Sequence, residues 1–148
     1  MRGSYRKRRI QLPPRFGHFK PAGVPKRFLE KIDLTVDEFE AIRLADYEQL
    51  EHLEASEKMN ISRPTFTRLI EKARGKVAAA IIEGKELVIE GGNIDFVNTL
   101  HHCRECGEVS PRSVDEDAED CPDCGSPNVE DLAWHFSGRH RGRRGRIR

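Results

Sequence analysis

The sequence predicts a mainly α protein. A three-helix domain of helix-turn-helix form leads into a small β zinc ribbon, with a basic arm before it and a basic tail after it. Three observations predict this. Apolar residues recur at helical spacing between Phe39 and Ile81, in three segments separated by short breaks. The period shifts to β-rich runs from Leu87 onward. Four cysteines, Cys103, Cys106, Cys121 and Cys124, form two C-x-x-C pairs, each followed by glycine. The expected divisions are an arm over 1–31, the helical domain over 32–85, a connecting β hairpin over 86–100, the ribbon over 101–138 and an Arg-rich tail over 139–148.

The arm carries prolines at 13, 14, 21 and 25, which disfavour a helix. It reads as extended, with Phe16, Phe19 and Phe28 available to pin it to the body. The first helix opens at Thr35, an N-cap whose capping box is completed by Glu38. Its apolar stripe, Phe39, Ile42 and Leu44-Ala45, ends near Tyr47. A second helix fits Glu51–Met59. Asn60-Ile61-Ser62 reads as a turn, because Asn tolerates the left-handed conformation and Ser62 can cap the next helix. The third helix runs from about Arg63, with Pro64 in its first turn, to Glu83, and Gly84 ends it. Its stripe is Phe66, Leu69-Ile70, Ala73 and Val77, then Ala80-Ile81. Leu87-Val88-Ile89, the turn Gly91-Gly92 and Ile94–Leu100 make the expected hairpin. Val129–Phe136 supplies the last apolar segment.

The chain has 148 residues and a net charge of +1, which conceals strong segregation. Residues 1–27 hold nine Lys/Arg and no acid; residues 139–148 hold six arginines and no acid. Between them, residues 32–58 carry nine acids against two cations, and residues 93–138 carry eleven against two. Basic ends on an acidic body point to a polyanion partner, or to arms that bind the protein's own acidic face. The longest apolar run, Val77 to Ile82, is too short to cross a membrane, so a cytoplasmic location is expected. No nucleophile–base pairing or phosphate loop is visible, so no enzyme and no small-molecule substrate are expected.

Each C-x-x-C turn aims two sulfurs at one point, and two such turns complete a tetrahedron. All four cysteines are consumed, which fits a closed structural zinc site; iron is the minor variant, since thiolates accept either metal. Disulfides need an oxidising compartment, and the charged N-terminus is followed by no apolar export segment. A thioredoxin-like reading needs a single C-x-x-C in a βαβ setting. His101-His102 beside Cys103 read as supporting or surface residues.

On a helical wheel, Pro64, Thr67, Arg68 and Glu71 fall opposite the apolar stripe of the third helix, with Lys72 beside them. Arg63 and Thr65 lie in its first turn. Ala55 is the small residue needed beneath such a helix, and Ile61 is the apolar anchor of the turn. An ordinary helical hairpin with a solvated outer face fits the same periodicity. The stretches Leu34–Asp46, Ile61–Phe66 and Ala73–Lys76 resemble region 4 of sigma-70-type factors. With the basic start, Phe19–Pro25 and Glu83–Gly92, the first 92 residues or so resemble the UPF0251 (DUF134) family of predicted DNA-binding proteins. The resemblance implies a helix-turn-helix that contacts double-stranded DNA through Arg63, Thr65, Thr67, Arg68 and Lys72, in a transcriptional regulator. The acidic surface of the ribbon points to a protein-contacting role, with RNA polymerase or a second copy as the further partners, since many such DNA readers bind paired half-sites. Gln49-Leu50 stands where such motifs often have glycine. The alternative is an RNA- or ribosome-associated zinc-ribbon adaptor whose helices contact protein; Gly/Arg tails such as 139–148 also bind RNA.

Overall fold

The computed structural model describes residues 7–136; the Arg-rich tail 139–148 lies outside them. Three helices make the body: α1 over Val36–Ile42, α2 over His52–Met59 and α3 over Arg63–Glu83. Each starts where its local chemistry says it should. Thr35 and Glu38 make the reciprocal capping box of α1, with the Thr35 N–H donating to Glu38 Oε1 at 2.9 Å. Ser62 caps α3, Pro64 sits in its first turn, and Gly84 closes it at φ 67°. A π-helical turn, Arg43–Tyr47, comes directly after α1. Gln49 then takes φ 60°, so the left-handed step that often falls to glycine is made here by glutamine.

Strand content departs from a mainly α expectation: 38% of the described residues are helical and 23% are strand. The arm supplies part of that strand. β1, Arg8–Ile10, pairs in parallel with β5, Ile94–Phe96. β2, His18–Phe19, pairs antiparallel with β4, Glu86–Ile89, whose other edge takes β3, Lys31–Leu34, in parallel. The arm is therefore woven into the body. Its anchors are Ile10 and Pro14, both fully buried, whereas Phe16, Phe19 and Phe28 stay exposed. Segment 86–100 is not a hairpin either: β4 and β5 join different sheets, because Gly91 and Gly92, at φ 82° and 104°, turn the chain away from its own preceding strand. A Cβ on Gly92 would stand 2.9 Å from Asp37 Oδ1, so the turn closes directly over the start of α1.

The third sheet is the ribbon: β7 (Val109–Ser113), β6 (Asn98–Cys103) and β8 (Val129–Asp131), all antiparallel, with α4, Leu132–Phe136, after them. Phe136 reaches back onto the main core. That core joins Ile10, Leu34, Val36, Leu44, Ala55, Met59, Phe66, Leu69 and Ile70 with neighbours from every helix of the body. Ile81, expected in the apolar stripe of α3, is instead 73% exposed. No helix of the described residues is long and apolar enough to cross a membrane.

Candidate functional site

The four cysteines converge. Their sulfurs all lie within 4.8 Å of one another, with Cys103–Cys124 and Cys106–Cys121 at 3.7 Å. A tetrahedron of thiolates at the usual zinc–sulfur distance of about 2.3 Å has edges of about 3.8 Å. All four are free thiols. The two knuckles are built alike. The N–H groups of Glu105 and Cys106 point at Cys103 Sγ at 3.3 and 3.4 Å; those of Asp123 and Cys124 point at Cys121 Sγ at 3.3 and 3.4 Å. Gly107 and Gly125 close the turns at φ 84° and 80°, their N–H groups donating to the carbonyls of Cys103 and Cys121 at 3.0 and 2.9 Å. The hydrogen bond from the Cys106 N–H, more than that from Glu105, draws the Cys103 thiol down to about 7 against the opposing effect of burial. The opposite holds for two of its neighbours: although the Glu108 backbone hydrogen bond favours the thiolate, burial and the adjacent sulfurs push Cys106 up to about 12, and Cys124 is raised against its hydrogen bond with Ser126. The donor set and its spacing fit a metal ion.

Behind this cluster the ribbon is held by one carboxylate that the sequence did not single out. Glu130 receives Arg104 Nη2 at 2.7 Å, and lies 2.9 Å from both His102 Nδ1 and His135 Nε2. Burial alone would raise its pKa, but these partners, Arg104 foremost, hold it down at about 2. His102 therefore braces the sheet. His101, on the other face of β6, is buried.

The five residues expected on the outer face of α3 occupy its first three turns. Arg63, Arg68 and Lys72 are exposed; Thr65 and Thr67 are partly buried. Thr65 is engaged with the cap: its N–H donates to Ser62 Oγ at 3.2 Å, and Ser62 Oγ donates to Thr65 Oγ1 at 2.8 Å. Thr67 Oγ1 lies 2.9 Å from Nδ1 of His52, whose ring packs edge-on against Phe66. His52 carried no local signal for this role, since its partner is 15 residues away. α2 passes beneath α3 at the fully buried Ala55, and Asn60, at φ 61° and ψ 44°, makes the turn between them.

Electrostatics separates the cations of α3 into two groups. Arg74 pairs with Asp46 at 2.6 Å, and Lys76 with Glu38 at 2.7 Å and the Asp33 carbonyl at 2.7 Å. Both are committed to the body's own acids, Lys76 against the buried Glu38 and Arg74 in an exposed pair with Asp46. Among the described residues, Arg63, Arg68 and Lys72 take part in no ion pair. The acids of α1 are likewise neutralised and not displayed. Asp37 pairs with Arg8 at 2.7 Å; Glu40, fully buried, accepts two hydrogen bonds from Arg43 at 2.9 Å and one from the Gln11 N–H at 3.0 Å. Through Arg8 the arm thus binds the body's own acids.

The comparisons with known proteins follow the same outline. The family model described as "Protein of unknown function DUF134" matches residues 1–97, ending before the first cysteine. A UPF0251 protein of Chloroherpeton thalassium is 57% identical over 141 residues, covering 95% of this chain and 93% of its own length. That span reaches through the cysteine module. A UPF0251 protein of Moorella thermoacetica is 45% identical over 135 residues, covering 90% of this chain and 87% of its own. No solved structure matches the chain. With the family model over its first 97 residues and relatives aligned along nearly its whole length, the chain belongs to the DUF134/UPF0251 family.

Proposed function

We propose that this protein binds double-stranded DNA through the N-terminal turns of α3, in a helix-turn-helix of the sigma-70 region 4 kind, and that it regulates transcription. One observation carries the reading. Arg8, Arg43, Arg74 and Lys76 are each paired with an acid of the body, whereas Arg63, Arg68 and Lys72, gathered on the outer face of one helix, are exposed and, like Lys58, meet none among the described residues. Exposed, uncommitted cations at the start of a helix suit the major groove, where Arg recognises guanine O6 and N7, and the flanking phosphates. The tight turn at Asn60 and the small Ala55 allow α2 to cross close beneath α3, which leaves that face clear. Thr67, held by His52, has a fixed orientation from which its methyl group can meet a thymine.

The metal in this reading is zinc, bound by the four thiolates and closed to substrate, so its work is structural. The ribbon's acidic surface turns it from DNA toward protein.

The test is selection of the zinc-loaded chain on randomised duplex DNA, with enriched sequences measured by fluorescence anisotropy at two salt concentrations. An enriched motif that keeps its preference at higher salt is expected. Arg68→Ala should cost about 1–3 kcal/mol of binding to that motif, and Lys72→Ala should reduce the salt slope by about 1. No enriched motif, or an Arg68→Ala variant that reads DNA as the parent does, would remove the reading; retained binding to structured RNA would then favour the adaptor alternative.

A further inference from the structure

The segment from Arg15 to Lys31 shows an unusual surface. It holds five Lys/Arg, one acid and three phenylalanines. The rings of Phe16, Phe19 and Phe28 are 66, 50 and 68% exposed. Phenylalanine has no polar handle to reward exposure, so three such rings within 13 residues forgo burial that the hydrophobic effect favours. The backbone that carries them is stiff and anchored. Pro13, Pro14, Pro21 and Pro25 restrict it, β2 fastens one part to β4, and Lys26–Phe28 is a 3₁₀ turn. Glu86, buried, ties the two parts together, standing 2.9 Å from His18 Nδ1 and 3.9 Å from Lys26 Nζ. The Arg27 guanidinium lies 4.7 Å from the centroid of the Phe28 ring. The one acid, Glu30, is engaged by Lys85 at 3.2 Å. Among the described residues, Arg15, Arg27 and Lys31 make no ion pair.

We propose that residues 15–31 form a second nucleic-acid site, specific for single strands. Exposed aromatic rings offer stacking platforms to unpaired bases, and the interleaved cations follow the phosphates. Paired bases in a duplex present no free face to such rings, which sets this site apart from the duplex-reading face. The surplus of cations excludes a basic partner, and the spacing of rings by charges suits a polymer that alternates flat apolar groups with anions. The site also stands apart in space. Phe19 borders the C-terminal half of α3 beside Val77, Ala80 and Ile81, and the 14 residues from Phe66 to Ala80 correspond to about 21 Å of helix. The proposal does not depend on α3 reading DNA.

The experiment uses the full-length, zinc-loaded chain with labelled oligodeoxyuridylate and oligouridylate of about twenty nucleotides, which differ only in the sugar. Anisotropy is read at two salt concentrations. Phe16 and Phe28 are the residues to change, because they are the most exposed; Phe19 borders an apolar groove and is left intact. The Phe16→Ala/Phe28→Ala double variant should melt like the parent and lose binding by about 10-fold or more, with an unchanged salt slope. Arg68→Ala should bind single strands as the parent does. Phe28→Trp should keep its affinity, and its added fluorescence should be quenched by the strand. A stronger response to one sugar than the other identifies RNA or DNA as the source. A double variant that binds like the parent, a Phe28→Trp signal unmoved at saturation, or loss of single-strand binding in Arg68→Ala would each overturn the proposal.

Discussion

The helical body and the ribbon solve the same problem by opposite means. The body has a continuous apolar core, twelve buried residues contributed mainly by its helices and by strands β1, β3 and β4. The ribbon's own cluster contains three buried residues, two of which are cysteines. A unit of roughly 40 residues with so little to bury does not fold on hydrophobic burial alone. The body is held by what water rejects; the ribbon, on the proposed reading, is held by the metal its sulfurs would bind. The difference teaches where each part is vulnerable, and four changes test it in order of expected effect.

Metal removal should have the largest effect and should strike one side only. Structural four-thiolate zinc supplies on the order of 10 kcal/mol of folding free energy. A strong chelator, or Cys121→Ser, should therefore unfold β6–β8, while the helical signal in circular dichroism is largely kept. Hydrogen exchange should show fast exchange at the Asn98–Cys103 and Val109–Ser113 amides and continued protection in α3. Simultaneous loss of both regions would show that the ribbon braces the body, through Phe136 and the β1–β5 strands, more than the cores suggest.

Next comes the body's buried charge. Glu40 has no exposed surface, and its carboxylate is shared by Arg43 and the Gln11 amide. Glu40→Ala strands the guanidinium and the amide together, and breaking such a buried pair costs about 3–5 kcal/mol. The loss should appear as a lower urea midpoint with metal affinity unchanged. This pair also shows what local sequence conceals. Glu40 and Arg43 are three residues apart, within reach of one helical turn, but Arg8–Asp37 and Lys76–Glu38 join residues 29 and 38 apart. Counting charges along the chain made residues 32–58 a uniformly acidic stretch; in the fold Asp37, Glu38 and Glu40 are buried against cations, while the other six acids stay exposed.

The same contrast decides what else was legible. The knuckles could be read because C-x-x-C-G is a self-contained turn, closed by its own glycine and its own amides. The limits of α3 could be read because Ser62, Pro64 and Gly84 act within one turn of where they stand. The arm's strands could not. β1 is three residues long and its partner, β5, lies more than 80 residues later, so neither period nor turn chemistry announces the pairing. Two parallel pairings in so small a chain require crossovers, and crossovers leave no mark in a short window.

A third change addresses the crossing of α2 and α3. Ala55 is fully buried beneath α3. Ala55→Leu adds volume to a site with no room, at about 1–3 kcal/mol. Within the body it should also lift α3, so DNA affinity should fall by more than the stability loss explains, while single-strand binding at residues 15–31 should not change with it.

The smallest expected effect falls on Ser62, and it separates folding from recognition most cleanly. Ser62 Oγ accepts from the Thr65 N–H and donates to Thr65 Oγ1, so it caps α3 and orients one of the five outward residues with a single atom. Ser62→Ala removes both and should cost about 1 kcal/mol. Ser62→Asp should recover that stability, because a carboxylate caps as well as a hydroxyl and is favoured at the positive end of the helix. If α3 docks on DNA as proposed, however, the carboxylate would stand beside Arg63 at the helix end nearest a phosphate. It would neutralise a cation and repel the DNA. A protein that melts like the parent and binds duplex more weakly than Ser62→Ala would place the phosphate at this helix start. Equal binding by Ser62→Asp and the parent would move the DNA away from it, whatever the stability of either variant.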